Sequence, residues 1–375
     1  MKPRRPYHAF AATLAGPLAL AVAMATAAIV ALQAPVAAAE AAEAASSLRM
    51  VRAADAPLYR MGRTADGNDG GVRLAYPGAS LFLRFAGKTL AVDASSTGNP
   101  GYIEVQVDDQ APRLVALTPD TRRVELVRDA GGATHEVRIM QRTETWQGIT
   151  RLAGFAHDGQ LAAWPQPEQR KMLVLGDSVT CAQGIDRVSG DARSSSMTNP
   201  RASYGMLAAQ ALRAQVALVC YGGRGLVRTW EGKSELNLPE FYELAIPDPA
   251  APAPWDHRRY DPDVVVSAIG TNDFTVGVPD RENYVGAYTS LVNTMLRNHP
   301  HAQIVLTEGA ILNGEGKTAM RAFIAETAAR VGSPRVHIMP STHYPGDAED
   351  AHPTREQHAA MARELAEHLR ALLRW

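Results

Sequence analysis

The feature that most constrains this chain is a change of rhythm near residue 164. From about Tyr59 to Ala163 the apolar residues recur every second position. In "YIEVQVDD", Ile103, Val105 and Val107 fall on one face and Glu104 and Gln106 on the other. "HEVRIM", "SLFLRF" and "RRVELV" alternate in the same way, which is the signature of half-buried strands. Turn-rich clusters ("DGNDGG", "STGNPG", "DAGGA") separate them at short intervals, so this part predicts an all-β sandwich or jelly roll.

Beyond "AAWPQPEQRK", which reads as a linker, the apolar runs are short, rich in branched residues and without strict alternation. "MLVLGDS", "QVALVCYGG", "DVVVSAIGTND", "QIVLTEGA" and "RVHIMPS" look like strands buried on both faces. Helical patterns lie between them. Tyr284, Tyr288, Leu291, Val292 and Met295 form one continuous stripe, and "TREQ" supplies a Thr354–Gln357 capping box for the last helix. The second part is therefore an α/β domain with a parallel, flavodoxin-like sheet and functional loops at the strands' carboxyl ends. The expected division is residues 1–39, a lead-in of 40–55, a β-sandwich of 56–163 and an α/β domain of 164–375.

Residues 1–39 open with Lys2, Arg4 and Arg5, run through a long apolar stretch and end with small residues at Ala37 and Ala39. That order reads as an export signal, and it places the mature protein in the periplasm or outside the cell. Its removal takes three basic residues and shifts the formal charge from −1 to −4, which argues against a nucleic-acid partner. With no second long apolar run, no stable membrane association is expected after cleavage; oligomeric state is left open. Cys181 and Cys220 are the two cysteines. A bridge and two buried thiols are both open, with the thiols narrowly favoured.

Polar clusters sit at the predicted carboxyl ends: "GDSVT", "CYGGRGLVRTW" and "GTNDF", with "DAEDAHPT" before the capped helix. Acyl transfer requires a nucleophile, a base for its proton and donors for the oxyanion. A serine, a histidine, glycine amides and an asparagine arriving at one sheet edge supply that set. Each piece also has an ordinary reading. Ser178 and Asp177 are good helix caps, "TND" caps helices, and Gly-rich turns follow many strands. "GDSVT" lacks the second glycine of the G-x-S-x-G elbow, and no metal-ligand spacing or phosphate loop is present. No cofactor is expected.

Taken together, these blocks resemble the SGNH, or GDSL-type, hydrolase superfamily. The resemblance implies Ser178 as nucleophile, His352 in "DAHP" as base, and an oxyanion hole from the Ser178 amide, the Gly225 amide in "GGRGL" and the Asn272 side chain in "GTND". The β-sandwich, the "RTE" of Arg142–Glu144 and "GDSVTCAQG" look most like carbohydrate esterase family 2. Its members are acetyl esterases acting on polysaccharides such as xylan and glucomannan. The resemblance thus implies an exported serine esterase with an acetylated saccharide substrate. Other short-chain acyl esters or acetylated cell-wall sugars are the alternative substrates, and a non-catalytic glycan-binding protein is the alternative class. Many superfamily members carry an aspartate three residues before the histidine. Here that position is Glu349, while Asp350 lies two before, as is common in the polysaccharide branch. Asp350 is therefore expected to orient His352, ahead of a backbone carbonyl or Glu349. Trp230 and Trp255 are candidates for stacking on a sugar ring. Arg142 and Glu144 are expected to hold the two domains together, His343 to sit in a loop, and His358 on a helix surface.

Overall fold

The computed structural model describes residues 48–129 and 131–375; the expected signal segment lies outside them. Two six-stranded antiparallel sheets make the sandwich. One runs Thr64–Asp66, Val72–Leu74, Thr150–His157, Thr89–Ser96, Arg122–Arg128. The other runs Gln160–Ala162, Ser80–Ala86, Thr134–Gln141, Gly101–Val107, Arg113–Leu117. Leu81, Leu83, Phe85, Val92, Ile103, Val137, Ile139 and Phe155 fill the space between them, so the alternation seen in the sequence is the inward face. Arg49–Arg52 pairs with Thr150–His157, and Ala53 is fully buried in the core. Part of the stretch expected to be a featureless lead-in is thus an element of the sandwich.

The α/β domain is built on five parallel strands: β1 (Arg170–Gly176), β2 (Ala214–Cys220), β3 (Val264–Ala268), β4 (Gln303–Thr307) and β5 (Val336–Met339). Their order is β2-β1-β3-β4-β5, a doubly wound arrangement whose functional crevice lies beyond the strands' carboxyl ends, where the order reverses about β1. Both faces of β1 are covered. Leu173 and Leu175 pack toward the helix Arg281–Asn298 through Tyr288, Leu291 and Val292. Met172 and Val174 pack toward Ala208 and Leu212 of one helix and Leu365 and Leu369 of the last. That two-sided burial removes the polar alternation from these strands. The last helix, Arg355–Leu373, begins with the expected Thr354–Gln357 capping box.

The domains share a polar seam. Glu104, on the outward face of its strand, is buried because Arg142 and Arg201 close over it at 2.9 Å and 2.7 Å. Arg142 also reaches Asp186 Oδ2 at 3.0 Å and the Thr198 carbonyl at 2.8 Å. In this cluster the buried charges of Glu104 and Arg142 are paired, which is the condition under which such groups tolerate burial. Tyr76 Oη donates to the Phe241 carbonyl at 2.8 Å, tying the sandwich to the α/β domain a second time.

Candidate active site

β1 ends at Gly176, where a Cβ would lie 2.0 Å from Thr180 Oγ1; a glycine is required for so sharp a turn. Asp177 caps the one-turn helix Ser178–Cys181 by accepting from the Val179 amide at 3.0 Å. Burial pushes its carboxyl up to about 6, against the pull of the Val179 amide and of His352. Gly176 pairs with Cys220 across the parallel ladder, and one helical turn brings Cys181 back to the same place. The two cysteines form a disulfide with Cα atoms 5.6 Å apart, which corrects the narrow preference for free thiols: register places them together, and register is not visible in spacing.

Ser178 is 7% exposed, and its Oγ lies 2.8 Å from His352 Nε2. His352 Nδ1 lies 2.7 Å from Asp350 Oδ1, which also accepts the His352 amide at 3.0 Å. A ring that donates from Nδ1 to a carboxylate leaves Nε2 free to accept the serine proton. Burial alone raises Asp350, but the hydrogen bonds from His352 prevail and hold its carboxyl well below the ordinary carboxylate range. The loop carrying these groups is braced. Asp347 Oδ1 accepts the amides of Glu349 and Asp350, and Arg187 bonds both Asp347 and the His352 carbonyl. Glu349 turns outward and accepts from Ser189 Oγ at 2.7 Å.

The glycine block folds beside this pair. Asn272 is buried, and its Nδ2 donates to the Arg224 carbonyl at 2.9 Å. Next to it, Asp273 accepts the amides of Leu226, Val227 and Arg228 at 2.7, 2.8 and 3.0 Å. Burial pushes that carboxyl up to about 6, with the three amides opposing. A Cβ on Gly225 would fall 2.2 Å from Asp273 Oδ2 and 2.4 Å from the Arg228 carbonyl, so residue 225 has no room for a side chain. Among the described residues none accepts the Gly225 N–H. Asp273 was not singled out in the sequence; its signal was the acid directly after Asn272 in "GTND".

Two hollows flank the site and share Trp146. One, of about 520 Å³, is bordered by Trp146, Gln183, Arg187, Val188 and Asp350. The other, of about 130 Å³, is bordered by Trp146, Gly222, Gly223 and Trp230. Trp146 and Trp230 are 55% and 57% exposed. Trp146 comes from the sandwich and was missed in the sequence, because an exposed tryptophan there has no local signal. Trp255 is only 9% exposed and packs between the guanidinium groups of Arg63 and Arg259 at 5.2 and 4.9 Å. It is a core residue rather than a sugar platform. His343 is half-buried in a loop. His358 is fully buried, with Nδ1 accepting the Tyr204 amide at 3.2 Å, so the helix-surface expectation is corrected; burial lowers it to about 3. Among the described residues no group of three or more His, Cys, Asp or Glu is arranged to hold a metal ion.

Residues 60–167 match the family model for the carbohydrate esterase 2 N-terminal domain, and residues 174–374 match the GDSL-like lipase/acylhydrolase family. An acetylxylan esterase/glucomannan deacetylase from Cellvibrio japonicus is 47% identical over 88% of this chain and 93% of its own length. The chain belongs to carbohydrate esterase family 2. It is accordingly a carboxylic ester hydrolase of the GDSL type. Among solved structures, a family-two esterase from Cellvibrio japonicus superposes with a TM-score of 0.85 at 46% identity, covering 88% of this chain and 99% of that one. A family-two esterase from Clostridium thermocellum, in complex with cellohexaose, superposes with a TM-score of 0.79 at 28% identity over 85% of this chain and 99% of that one. Among the described residues of this esterase, no helix is long and apolar enough to cross a membrane.

Proposed function

We propose that this family-two esterase removes acetyl groups from an O-acetylated polysaccharide of the xylan or glucomannan type, outside the cytoplasm, through an acyl-enzyme on Ser178. The observation that carries the reading is the continuous chain of hydrogen bonds Ser178 Oγ–His352 Nε2–His352 Nδ1–Asp350 Oδ1, at 2.8 and 2.7 Å. Neutral His352 takes the serine proton as Oγ attacks the acetyl carbonyl. The carbonyl oxygen becomes an oxyanion on the amides of Ser178 and Gly225 and on the Asn272 side chain. His352 then gives its proton to the departing sugar hydroxyl. Water enters, loses a proton to His352 and attacks the acyl group, and acetate leaves as the serine regains its proton. Residues 164–375 supply this chemistry, and residues 56–163 form one wall of the cleft.

The substrate class rests on the relatives' names and on the two exposed tryptophans at the flanking hollows, which suit sugar faces. Export rests on the composition of residues 1–39 and agrees with the disulfide. The test is acetate release by residues 40–375 and by Ser178→Ala, on acetylated xylan, acetylated glucomannan and a chromogenic acetate ester. Serine-dependent release from a polysaccharide is expected. Release from the small ester alone would move the substrate to other acyl compounds, and release undiminished in Ser178→Ala would end the serine mechanism.

A further inference from the structure

Glu144 belongs to the sandwich, yet its carboxyl group is buried beside the catalytic loops. Its Oε2 accepts the Gly222 amide at 2.8 Å, and a Cβ on Gly222 would sit 2.4 Å from that oxygen. The residue is fully buried, and Oε1 has no hydrogen-bond partner among the described residues. A carboxyl so placed, with one amide bonded to it, the Trp146 indole close by and no cation, is expensive to bury and needs a compensating use.

The segment it serves is loose by composition. Gly222, Gly223 and Gly225 fall within four residues, and Gly223 adopts a φ of +77°. Such a stretch gains its shape from outside. Asp273 fixes its far end through the amides of Leu226, Val227 and Arg228, and Asn272 holds the Arg224 carbonyl. Gly222, at the near end, is held by Glu144. Gly225 lies between these pins.

We propose that Glu144 is a positioning residue for the oxyanion site: by holding the Gly222 amide from the sandwich side, it fixes the loop that aims the Gly225 N–H. The inference rests on the serine-esterase reading above and makes the sandwich a working part of the catalytic site. Glu144 is itself anchored well enough to act as a pin. Its amide donates to Gln147 Oε1 at 3.1 Å, and its carbonyl accepts the amides of Gln147 and Gly148. On one side Arg142 is locked into the seam, and on the other Thr145 Oγ1 donates to the Ala75 carbonyl. Burial pushes the carboxyl up to about 7, opposed by His352, the Gly222 amide and the Trp146 indole and reinforced by Asp177. A neutral carboxyl still offers a carbonyl oxygen to Gly222 and places no negative charge near a developing oxyanion. A glutamine offers the same acceptor.

The experiment compares Glu144→Gln and Glu144→Leu on a chromogenic acetate ester, with circular dichroism and thermal unfolding as controls for folding. Binding of phenylboronic acid, which forms a tetrahedral adduct on an active serine, reads the oxyanion site directly. Glu144→Gln should keep kcat within about threefold of the parent. Glu144→Leu should lose roughly 10- to 100-fold in kcat, a part of what losing a whole oxyanion donor costs. Its KM should stay within about threefold, and its boronate affinity should fall in step with kcat. Parental kcat in folded Glu144→Leu, loss of kcat without loss of boronate affinity, or equal damage by glutamine and leucine would each overturn the proposal. If Glu144→Leu does not fold, Gly222→Ala tests the same contact from the other side. A lowered kcat at constant KM is expected there, and a folded Gly222→Ala with parental kcat overturns it. Ser178→Ala, run alongside, shows separately whether the serine mechanism holds.

Discussion

Asp350 Oδ1 receives two hydrogen bonds from one residue, His352, at 2.7 Å from the ring and 3.0 Å from the backbone amide. The two-residue spacing lets a single carboxylate fix both the loop and the imidazole tautomer. Glu349, next to it, faces Ser189 instead. Asp350→Asn should therefore lower kcat by at least about 100-fold, because it takes the carboxylate away from Nδ1–H. Glu349→Ala should stay within about twofold. Steady-state kinetics on a chromogenic acetate ester check both, and a reversed ranking would assign the acid to Glu349.

Asn272→Ala should reduce kcat by on the order of 100- to 1000-fold, the usual cost of one oxyanion donor. The variant also loses the bond to the Arg224 carbonyl, so its boronate affinity should fall too. Unchanged turnover in the folded variant would remove Asn272 from the oxyanion site.

Cys181 and Cys220 close a loop with a sequence separation of 39. Constraining a loop of that length in the unfolded chain is worth roughly 2–4 kcal/mol. The double variant Cys181→Ala/Cys220→Ala should be destabilised by about that amount in urea unfolding. Equal stability would mean that the bridge is absent in solution.

Glu144 makes stability depend on pH in a predictable direction. Its carboxyl rises from an ordinary 4.5 to about 7 on folding because it is buried, so the folded state holds a proton that the unfolded chain has lost. The stabilisation is complete below pH 4.5 and is lost as pH rises through 7. At about 1.4 kcal/mol per tenfold change in proton affinity, it amounts to roughly 3 kcal/mol. Urea unfolding from pH 4.5 to 8 should therefore slope downward more steeply for the parent than for Glu144→Gln. Parallel curves would mean that Glu144 ionises as freely when folded as when unfolded. Asp177 and Asp273, both raised by burial, act in the same direction in both proteins, and because Asp177 and Glu144 repel each other, the part of the slope due to Asp177 also falls in Glu144→Gln.

Trp146 borders both hollows, and Trp230 borders the smaller one together with Gly222 and Gly223. Replacing either by alanine should raise KM on acetylated polysaccharide roughly 3- to 10-fold, the scale of an aromatic contact, and leave KM on the small ester nearly unchanged. Trp255→Ala should instead destabilise the fold, since that ring is buried between two arginines.

The strands and helices of both domains were legible because their causes are local. Ile103, Val105 and Val107 alternate as any half-buried strand must, and Tyr284 through Met295 keep helical period along one face. The four blocks of the candidate site were legible too, since the glycines, Ser178, Asn272 and His352 each sit in a short motif at the end of an element. Other relationships depend on residues far apart in the chain. Which acid meets His352 was decided by the Asp347–Arg187 brace, which turns Asp350 inward and Glu349 out. The disulfide was decided by the parallel register that sets Gly176 opposite Cys220. Glu104 reads as an outward, solvated residue, and only the docking of the second domain makes it a buried partner of Arg142 and Arg201. Glu144 lies 78 positions from Gly222, and no periodicity links them. Sequence determines what each segment buries; which polar groups then share that buried space is settled only when the two domains close.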